Sequence, residues 1–163
     1  MKPAVIAYIG LGSNLEEPLS QLTSALLALA EAEQLELIAN SNFYSSPPLG
    51  PKDQPDYTNA VAEIKTTLSP NQLLVLCQSI ENQQGRKRLG ERWGARTLDL
   101  DILTYGERTI QEPDLIIPHP GISQRGFVLY PLLELTDRLN IKGLGSIQVM
   151  IEQLSDIKPS LIK

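Results

Sequence analysis

The sequence predicts an α+β fold in which one antiparallel sheet carries two helices on a single face. Three observations lead to this prediction: apolar runs of strand length, two segments with apolar residues at helical spacing, and the order in which these segments follow one another. The chain has 163 residues, of which 42% are hydrophobic and 20% are charged. These values are ordinary for a folded protein, and we expect one domain over residues 1–163.

The first half of the chain contains the pattern strand, helix, strand. An apolar run over residues 4–12 ends in glycines and predicts the first strand. Pro18 suits the first turn of a helix, and leucines at helical spacing continue from there to about Gln34. A second strand is expected from residue 35 to 44. Residues 45–55 contain four prolines and a glycine, which predicts a long loop.

The next segments contain strand, helix, strand again. Residues 57–67 alternate between two faces as a third strand. Ser69 followed by Pro70 predicts the N-cap and first turn of a helix that runs to about Gln84. A fourth strand is expected over residues 96–105. This order is the ferredoxin-like βαββαβ arrangement, with an antiparallel sheet and helices on one face.

Three further elements are expected beyond this core. The sequence predicts a short hairpin over residues 106–110, a loop that holds His119, and a helix over residues 125–135. The complete expectation is therefore a ferredoxin-like domain with a C-terminal hairpin and helix.

Charge and cysteine content exclude several classes of protein. The net charge is −5, which disfavours a protein that coats nucleic acid or an anionic membrane. Cys77 is the only cysteine, so no intrachain disulfide can form, and its apolar helical neighbours predict a buried structural thiol. No run of about 18 apolar residues is present. We therefore expect a cytoplasmic protein with neither a nucleic acid nor a membrane as its partner.

Two aspartates mark the clearest candidate site. In the predicted fourth strand, Asp99 and Asp101 point to one face, while the residues that alternate with them, Leu98, Leu100 and Ile102, point to the other. Neighbouring carboxylates repel each other unless a cation lies between them. Magnesium often takes one or two carboxylates and completes its shell with water and phosphate oxygens. The pattern favours a magnesium site, and a solvated strand face with local ion pairs is the alternative.

A basic segment comes directly before these aspartates. Residues 86–96 hold five basic side chains, which are Arg86, Lys87, Arg88, Arg92 and Arg96. Guanidinium groups bind phosphate bidentately and remain charged. A cationic loop beside a metal-holding strand has the parts that phosphoryl transfer needs, and Trp93 in the same loop would suit stacking on a base. The alternative is a solvated charged loop.

Four other residues are candidate ligand contacts. His119 lies between two prolines, which suits a phosphate contact and equally suits a structural role. Tyr57, Asn59 and Phe127 offer two aromatic faces and one amide, a set that fits a flat heterocycle with hydrogen-bonding edges. The sequence has no P-loop, and residues 10–15 lack the third glycine of a dinucleotide fingerprint.

Several short motifs follow one another over most of the chain. They include Gly-Ser-Asn at 12–14, Pro-Pro-Leu-Gly-Pro at 47–51, Asp-Gln-Pro-Asp-Tyr at 53–57, Glu81, Gln-Gly-Arg at 84–86, Glu-Arg-Trp-Gly at 91–94, Arg-Thr-Leu-Asp-Leu-Asp-Ile at 96–102, Pro-His at 118–119 and Arg-Gly-Phe at 125–127. Together these motifs closely resemble those of the 6-hydroxymethyl-7,8-dihydropterin pyrophosphokinases. The blocks at 47–59 and 96–101 are the most specific.

This resemblance implies a ferredoxin-like fold, a reaction and its co-substrates. The pterin hydroxymethyl oxygen would attack the β-phosphorus of ATP and give a pterin diphosphate and AMP, as a step of tetrahydrofolate biosynthesis. Two magnesium ions would be held by Asp99 and Asp101, and Arg86 and Arg96 would complete the catalytic set by clamping phosphates. ATP and the pterin would be the small-molecule partners of a monomer.

The resemblance also implies two groups of binding residues. The ATP site would be lined by Arg86, Arg88, Trp93, Arg96, Ile102, His119 and Arg125. The pterin would be sandwiched by Tyr57 and Phe127, with its edges bonded by Asn59 and by backbone groups nearby. The full pterin-binding set would be Ser46, Pro47, Leu49, Tyr57, Asn59 and Phe127.

Two other functions remain open from the residues alone. RNA-recognition modules share the same order of strands and helices, but they need aromatic strands and a basic face. Here aromatic residues make up 5% of the chain and its fourth strand carries aspartates. A kinase or nucleotide hydrolase that releases ADP would use the same metals and arginines, so the residue types do not separate attack at the β-phosphorus from attack at the γ-phosphorus.

Overall fold

The computed structural model describes residues 3–14, 17–47, 56–84, 98–136, 139–141, 143–154 and 158–162. The proline-rich segment from residue 48 to 55 and the basic segment from residue 86 to 96 lie outside these described residues. The expected start of the fourth strand, at residues 96 and 97, lies outside them as well.

The described elements alternate between strands and helices. In chain order they are β1 (Val5–Ser13), α1 (Pro18–Glu31), β2 (Leu35–Asn40), β3 (Tyr44–Ser46), β4 (Tyr57–Thr66), α2 (Pro70–Gln83), β5 (Asp99–Tyr105), β6 (Ile110–Glu112), β7 (Leu115–Ile117), α3 (Gly126–Leu135), β8 (Asn140–Ile141), β9 (Gly145–Ser146), α4 (Ile147–Glu152) and β10 (Ser160–Leu161). A 3-10 turn over Ile122–Gln124 comes directly before α3.

The main sheet is built around β1 and β4. These two strands pair antiparallel along their length, from Val5 opposite Thr66 to Ser13 opposite Thr58. The sheet order is β10-β3-β4-β1-β5, and β2 also pairs with β4. All pairings are antiparallel, and the predicted ferredoxin-like order of elements is confirmed.

Helices α1 and α2 pack on the same face of this sheet, as predicted. Their buried side chains pack against alternate residues of β1, β4 and β5. The core formed in this way includes Leu22, Ala25 and Leu29 of α1, Leu73, Cys77 and Ile80 of α2, and Ile9, Ile64 and Ile102 of the sheet. Each fully buried aliphatic side chain of this kind stabilises the fold by about 1.5–3 kcal/mol relative to an exposed one.

The predicted burial of Cys77 is confirmed, since its side chain is fully enclosed in this core. Burial raises the pKa of the Cys77 thiol to about 12, and the negative charges of Glu81 and Asp101 add to the effect. A thiol with such a pKa stays protonated near neutral pH, so it packs as a small apolar group and is not a nucleophile.

The opposite face of the sheet carries a second apolar layer. It is formed mainly by α3 and α4, which pack on Tyr8 of β1, Val61 of β4 and Leu103 of β5. We call this side of the sheet the α3 face. The predicted helix over residues 125–135 is therefore confirmed, and its apolar side covers the face that α1 and α2 leave free.

Helix α2 begins as the sequence predicts. The Ser69 hydroxyl accepts a hydrogen bond from the Gln72 backbone N–H at 3.2 Å, and the Gln72 side-chain oxygen accepts one from the Ser69 N–H at 2.9 Å. This reciprocal capping box satisfies two of the N–H groups that a helix start leaves unbonded. The position of this capping box determines where α2 begins after β4.

The end of the first helix was predicted too late. Helix α1 ends at Glu31 and not near Gln34. The Gln34 carbonyl accepts hydrogen bonds from the Thr67 N–H at 3.1 Å and from the Thr66 hydroxyl at 2.7 Å. These bonds to the end of β4, together with a left-handed φ of 63° at Gln34, turn the chain into β2 before the helix can continue.

The second predicted strand is divided into two. The prediction of one strand over residues 35–44 was wrong, because β2 ends at Asn40 and β3 begins at Tyr44. Ser41 lies buried in the break, where its hydroxyl accepts a hydrogen bond from the Val61 N–H at 2.9 Å. A side chain thus replaces a backbone carbonyl in the ladder. The strand resumes at Tyr44 and extends two residues into the predicted loop.

The predicted hairpin over residues 106–110 was also wrong. The structure forms a hairpin from β6 and β7, so Ile110 begins it instead of ending it. Gly106 is bonded to β1, because its N–H donates to the Ile6 carbonyl at 2.8 Å. Its left-handed φ of 55° then ends β5, and a Cβ there would lie 2.9 Å from Val5 Cγ1.

Candidate functional site

The aspartate pair lies on the α3 face of the sheet. Leu100 and Ile102 of β5 are buried among α1 and α2, so the alternation of the strand places Asp99 and Asp101 on the opposite side. Asp99 is half-buried and Asp101 is exposed. The predicted grouping of the two carboxylates on one strand face is therefore confirmed.

Two glycines of β1 face these carboxylates. Gly12 pairs with Asp99 and Gly10 pairs with Asp101 in the antiparallel ladder. Since neither glycine has a side chain, the surface next to the aspartates is left open. Added Cβ atoms would lie 3.4 Å from Leu103 Cδ2 at Gly10 and 3.2 Å from Asn59 Oδ1 at Gly12.

The arrangement of donors fits magnesium. Among the described residues, no group of three His, Cys, Asp or Glu side chains could enclose a metal ion by itself. Two carboxylates on an open strand face suit magnesium, which binds through one or two carboxylates and takes its other ligands from water and substrate phosphates. Glycines at the paired positions leave room for those ligands.

Strands β3 and β4 carry a cluster of polar side chains on the same face. Gly12 pairs with Asn59 on its other side, so Asp99 and Asn59 lie two strands apart, about 10 Å. The Asn59 Nδ2 donates to the Ser46 hydroxyl at 2.7 Å, and both side chains are buried. Because this bond fixes the plane of the carboxamide, its oxygen has a defined direction. Tyr57 is half-buried at the start of β4.

His119 lies on the loop that joins β7 to α3. Its backbone N–H donates to the Leu103 carbonyl at 2.9 Å, which ties the loop to β5. Its Nδ1 accepts from the Gly121 N–H at 3.0 Å, so the neutral ring carries its proton on Nε2.

The charge of His119 depends on burial and on two neighbours. Burial lowers the pKa of His119 below its ordinary value of 6.5, the carboxylate of Asp101 acts in the opposite direction, and the guanidinium of Arg125 lowers it further. A neutral imidazole with a defined N–H donor is the form expected near pH 7.

Arg125 and Phe127 lie where the loop enters α3. Arg125 is the residue before the first turn of the helix, and its guanidinium carbon is 5.8 Å from the centre of the Phe127 ring. Phe127 is half-buried against the apolar layer of the α3 face. The site therefore combines two carboxylates, a carboxamide, a neutral imidazole, a guanidinium and an aromatic ring. Such a set can hold both a metal-bound polyanion and a flat heterocycle.

Comparisons with known proteins agree on one family. Residues 8–137 match the family model described as 7,8-dihydro-6-hydroxymethylpterin-pyrophosphokinase (HPPK). A 2-amino-4-hydroxy-6-hydroxymethyldihydropteridine pyrophosphokinase of Haemophilus influenzae is 51% identical over 154 residues, covering 94% of this chain and 96% of the relative. The Bacillus subtilis protein of the same name is 42% identical over 134 residues, covering 82% of this chain and 80% of the relative.

The chain belongs to the HPPK family. It is therefore an ATP-dependent pyrophosphokinase that transfers a diphosphoryl group to hydroxymethyldihydropterin in folate biosynthesis. The family resemblance and the enzyme class expected from the motifs are confirmed.

Solved structures agree with the fold. A Plasmodium falciparum HPPK-DHPS wild type with pteroate superposes with a TM-score of 0.73 and 16% sequence identity. The match covers 94% of this chain and 43% of that chain, so this chain spans less than half the length of the bifunctional protein. In the described part of this chain, no helix has both the length and the apolar character needed to cross a membrane.

The predicted HPPK site residues fall into two groups, and Ile102 belongs to neither. The described ones on the α3 face, with the strands and the loop that border it, are Ser46, Pro47, Tyr57, Asn59, Asp99, Asp101, His119, Arg125 and Phe127. Leu49, Arg86, Arg88, Trp93 and Arg96 lie outside the described residues. Ile102 differs from both groups, because its side chain is buried with α1 and α2 and the structure does not bring it to the aspartates.

Sequence reasoning named Gly12 and Glu81 as motif residues but did not predict how they shape the site. Gly12 separates the aspartates from Asn59, and its pairing is visible only once the strand register is known. Glu81 is buried on α2, and its Oε2 accepts a hydrogen bond from the Leu100 N–H at 2.8 Å. The spacing of Leu73, Cys77 and Glu81 at i, i+4 and i+8 does carry a signal, because it places Glu81 on the buried side of the helix.

Proposed function

We propose that the α3 face is where diphosphate passes from ATP to the hydroxymethyl oxygen of 6-hydroxymethyl-7,8-dihydropterin, giving the pterin diphosphate and AMP. The observation that carries this proposal is the register that joins Asp99, Gly12 and Asn59 across three strands. It supports a metal-binding pair and a heterocycle-binding amide on one rigid surface, about 10 Å apart. A bicyclic ring at the amide and a triphosphate at the aspartates would meet between them.

Asp99 and Asp101 would hold two magnesium ions. Bound there, the ions would neutralise the triphosphate and lower the pKa of the attacking hydroxyl. The chain would contribute a fixed spacing between the two carboxylates, since both lie on the same strand beside β1. An aspartate that ligates a metal is a poor base, so positioning of the hydroxyl would carry more of the rate than proton abstraction by a side chain.

The pterin would bind between Tyr57 and Phe127. The carboxamide of Asn59, whose orientation is set by its hydrogen bond to Ser46, would read the polar edge of the ring. Two aromatic faces would add stacking energy, which does not depend on a charge. From the family resemblance, backbone groups of Ser46 and Leu49 would also bond the edges of the ring, and Pro47 would belong to the same binding set.

ATP would be held by cationic and neutral donors. Arg125 has a permanent charge, and His119 in its neutral form would donate from Nε2 to a phosphate oxygen. From the family resemblance, Arg86 and Arg96 would clamp the phosphates, while Arg88 and Trp93 would contact the remainder of the nucleotide. Ile102, whose side chain is buried with α1 and α2, would reach the nucleotide only through its backbone. Because the chain has a net charge of −5, these local cations would have to offset repulsion between protein and ATP.

The functional unit would be a monomer in the cytoplasm. The only cysteine is buried as a free thiol, which is in keeping with a reducing compartment.

Product identity tests the proposal. The chain is incubated with ATP, magnesium and 6-hydroxymethyl-7,8-dihydropterin, and nucleotides and pterins are separated by chromatography. We expect equal amounts of AMP and pterin diphosphate, and no AMP when the pterin is omitted. Formation of ADP with a pterin monophosphate would show attack at the γ-phosphorus and contradict the proposal.

A further inference from the structure

A buried carboxylate is bonded to the backbone between the two aspartates. Glu81 lies in the last turn of α2 and is only 5% exposed. Its Oε2 accepts from the Leu100 N–H at 2.8 Å, and Leu100 is the residue between Asp99 and Asp101. This distance lies in the ordinary range of an N–H···O hydrogen bond, so the carboxylate oxygen is held directly against the strand backbone.

The position of β5 in the sheet explains why such a bond matters. Strand β5 pairs with β1 on one side and, within the described residues, lies at the end of the main sheet. A terminal strand lacks the second ladder of hydrogen bonds that holds a central strand on both sides. The bond from Glu81 therefore attaches β5 to α2 at the peptide that joins Asp99 to Leu100, one of the two peptides between the aspartates.

Simple packing does not explain a glutamate at this position. The neighbouring positions on this side of α2 are Leu73, Cys77 and Ile80, all of them buried. Removing a carboxylate from water is costly, and an apolar residue would pack there without that cost. A small shift of the Leu100 peptide would move both carboxylates, and ligands displaced in this way lose metal affinity.

We propose that Glu81 is a positioning residue, which fixes the Leu100 peptide and so holds Asp99 and Asp101 at the spacing that a magnesium–nucleotide complex requires. The inference rests on the proposed function, because it assumes that the two aspartates hold that complex. In this role, the position of the acceptor oxygen of Glu81 matters and its negative charge does not. Two conservative substitutions separate these properties.

Glu81→Gln keeps the length of the side chain and an acceptor oxygen but removes the charge. Glu81→Asp keeps the charge but shortens the side chain by one methylene group, which withdraws the acceptor from Leu100. Glu112→Asp is the matched control, because it makes the same chemical change at an exposed position of β6. Near-ultraviolet circular dichroism and urea unfolding confirm that each variant is folded under the conditions of the measurement.

The measurement is the equilibrium binding of the magnesium complex of α,β-methylene-ATP to each protein, determined by calorimetry. We expect Glu81→Gln to bind close to the wild-type affinity and Glu81→Asp to bind about 10–100-fold more weakly. Glu112→Asp should match the wild type. By NMR, the Leu100 amide proton should exchange with solvent faster in Glu81→Asp than in Glu81→Gln.

Two results would overturn the inference. One is wild-type affinity in Glu81→Asp, and the other is an equal loss in Glu81→Gln and Glu81→Asp, which would assign the effect to charge or to general destabilisation. A wild-type protein that fails to bind magnesium with α,β-methylene-ATP would contradict the proposed function itself. The two failures are thus distinguished by the wild-type measurement.

Discussion

Gly12 lies where the two halves of the proposed site meet. It pairs with Asp99 on one side and Asn59 on the other, and it contributes no atoms beyond its backbone to the surface between them. A Cβ at this position would lie 3.2 Å from Asn59 Oδ1 and 3.8 Å from Tyr57 Cδ1. The nearest atoms therefore belong to the proposed pterin pocket.

Gly12→Ala should weaken pterin binding selectively. We expect the KM for the pterin to rise by about tenfold, because the new methyl group displaces the carboxamide by a few tenths of an ångström and disturbs its bond to Ser46. The KM for ATP should rise less, because the atoms nearest to the added methyl group belong to Asn59 and Tyr57. Steady-state kinetics with each substrate varied in turn gives both constants.

Gly10→Ala is the matched control for this change. Its added Cβ would make an ordinary contact with Leu103 at 3.4 Å and would not approach Asn59. A rise in pterin KM that is equal in both variants would mean that the strand as a whole is disturbed, and the specific role of Gly12 would be refuted.

At the scale of whole elements, α3 is attached to the sheet at both of its ends. Its N-terminus presents Phe127 to the site, and its last turn carries Glu134. The Glu134 carboxylate accepts hydrogen bonds from the Asn42 N–H at 2.9 Å, from Asn42 Nδ2 at 3.1 Å and from the Tyr44 hydroxyl. It thereby joins α3 to the break between β2 and β3, and Tyr44 pairs directly with Asn59.

Glu134→Ala should loosen this attachment. Loss of three hydrogen bonds to a partly exposed carboxylate should lower the free energy of unfolding by about 1–2 kcal/mol, as measured with urea. The pterin KM should rise severalfold, because the helix that carries Phe127 and the strand that carries Ser46 are no longer held together. Glu152→Ala, an exposed change on α4, is the control. Unchanged pterin KM in a destabilised Glu134→Ala protein would limit Glu134 to a role in stability.

The same elements show what local sequence can and cannot predict. The capping box at Ser69 and the alternation of Asp99 with Leu100 are encoded within four residues, and both were predicted. The break at Ser41 and the end of α1 at Glu31 depend on hydrogen bonds to β4, which lies at least twenty residues away along the chain. Contacts of that kind become visible only when the strands are paired.

The site shows the same division between local and long-range information. Family motifs identified the aspartates, Asn59 and His119, because each lies in a short run of characteristic residues. The bond from Glu81 to Leu100 spans nineteen residues, and the one from Glu134 to Asn42 spans ninety-two. Neither pairing follows from composition or periodicity, although helical spacing does indicate that Glu81 faces the core.

At the scale of the molecule, the two faces of the sheet have different tasks. The α1 and α2 side is an apolar core that fixes the strands, and Glu81 on this side reaches the backbone between the aspartates. The α3 face carries an apolar layer over one part and the proposed site over the rest. The proposed site thus lies on one face of the sheet, and the core on the opposite face holds in place the strands that carry it.

Turnover by Asp101→Asn tests the central claim most directly. Asparagine keeps the size of the side chain but removes the charge that would hold magnesium, so we expect turnover at saturating substrates to fall by about two orders of magnitude over a wide range of magnesium concentrations. Glu152→Gln, which makes the same change from a carboxylate to an amide at an exposed position of α4, should have wild-type activity. AMP and pterin diphosphate formed by Asp101→Asn at near-normal rates would contradict the assignment of the aspartate pair as the metal-binding centre of diphosphate transfer.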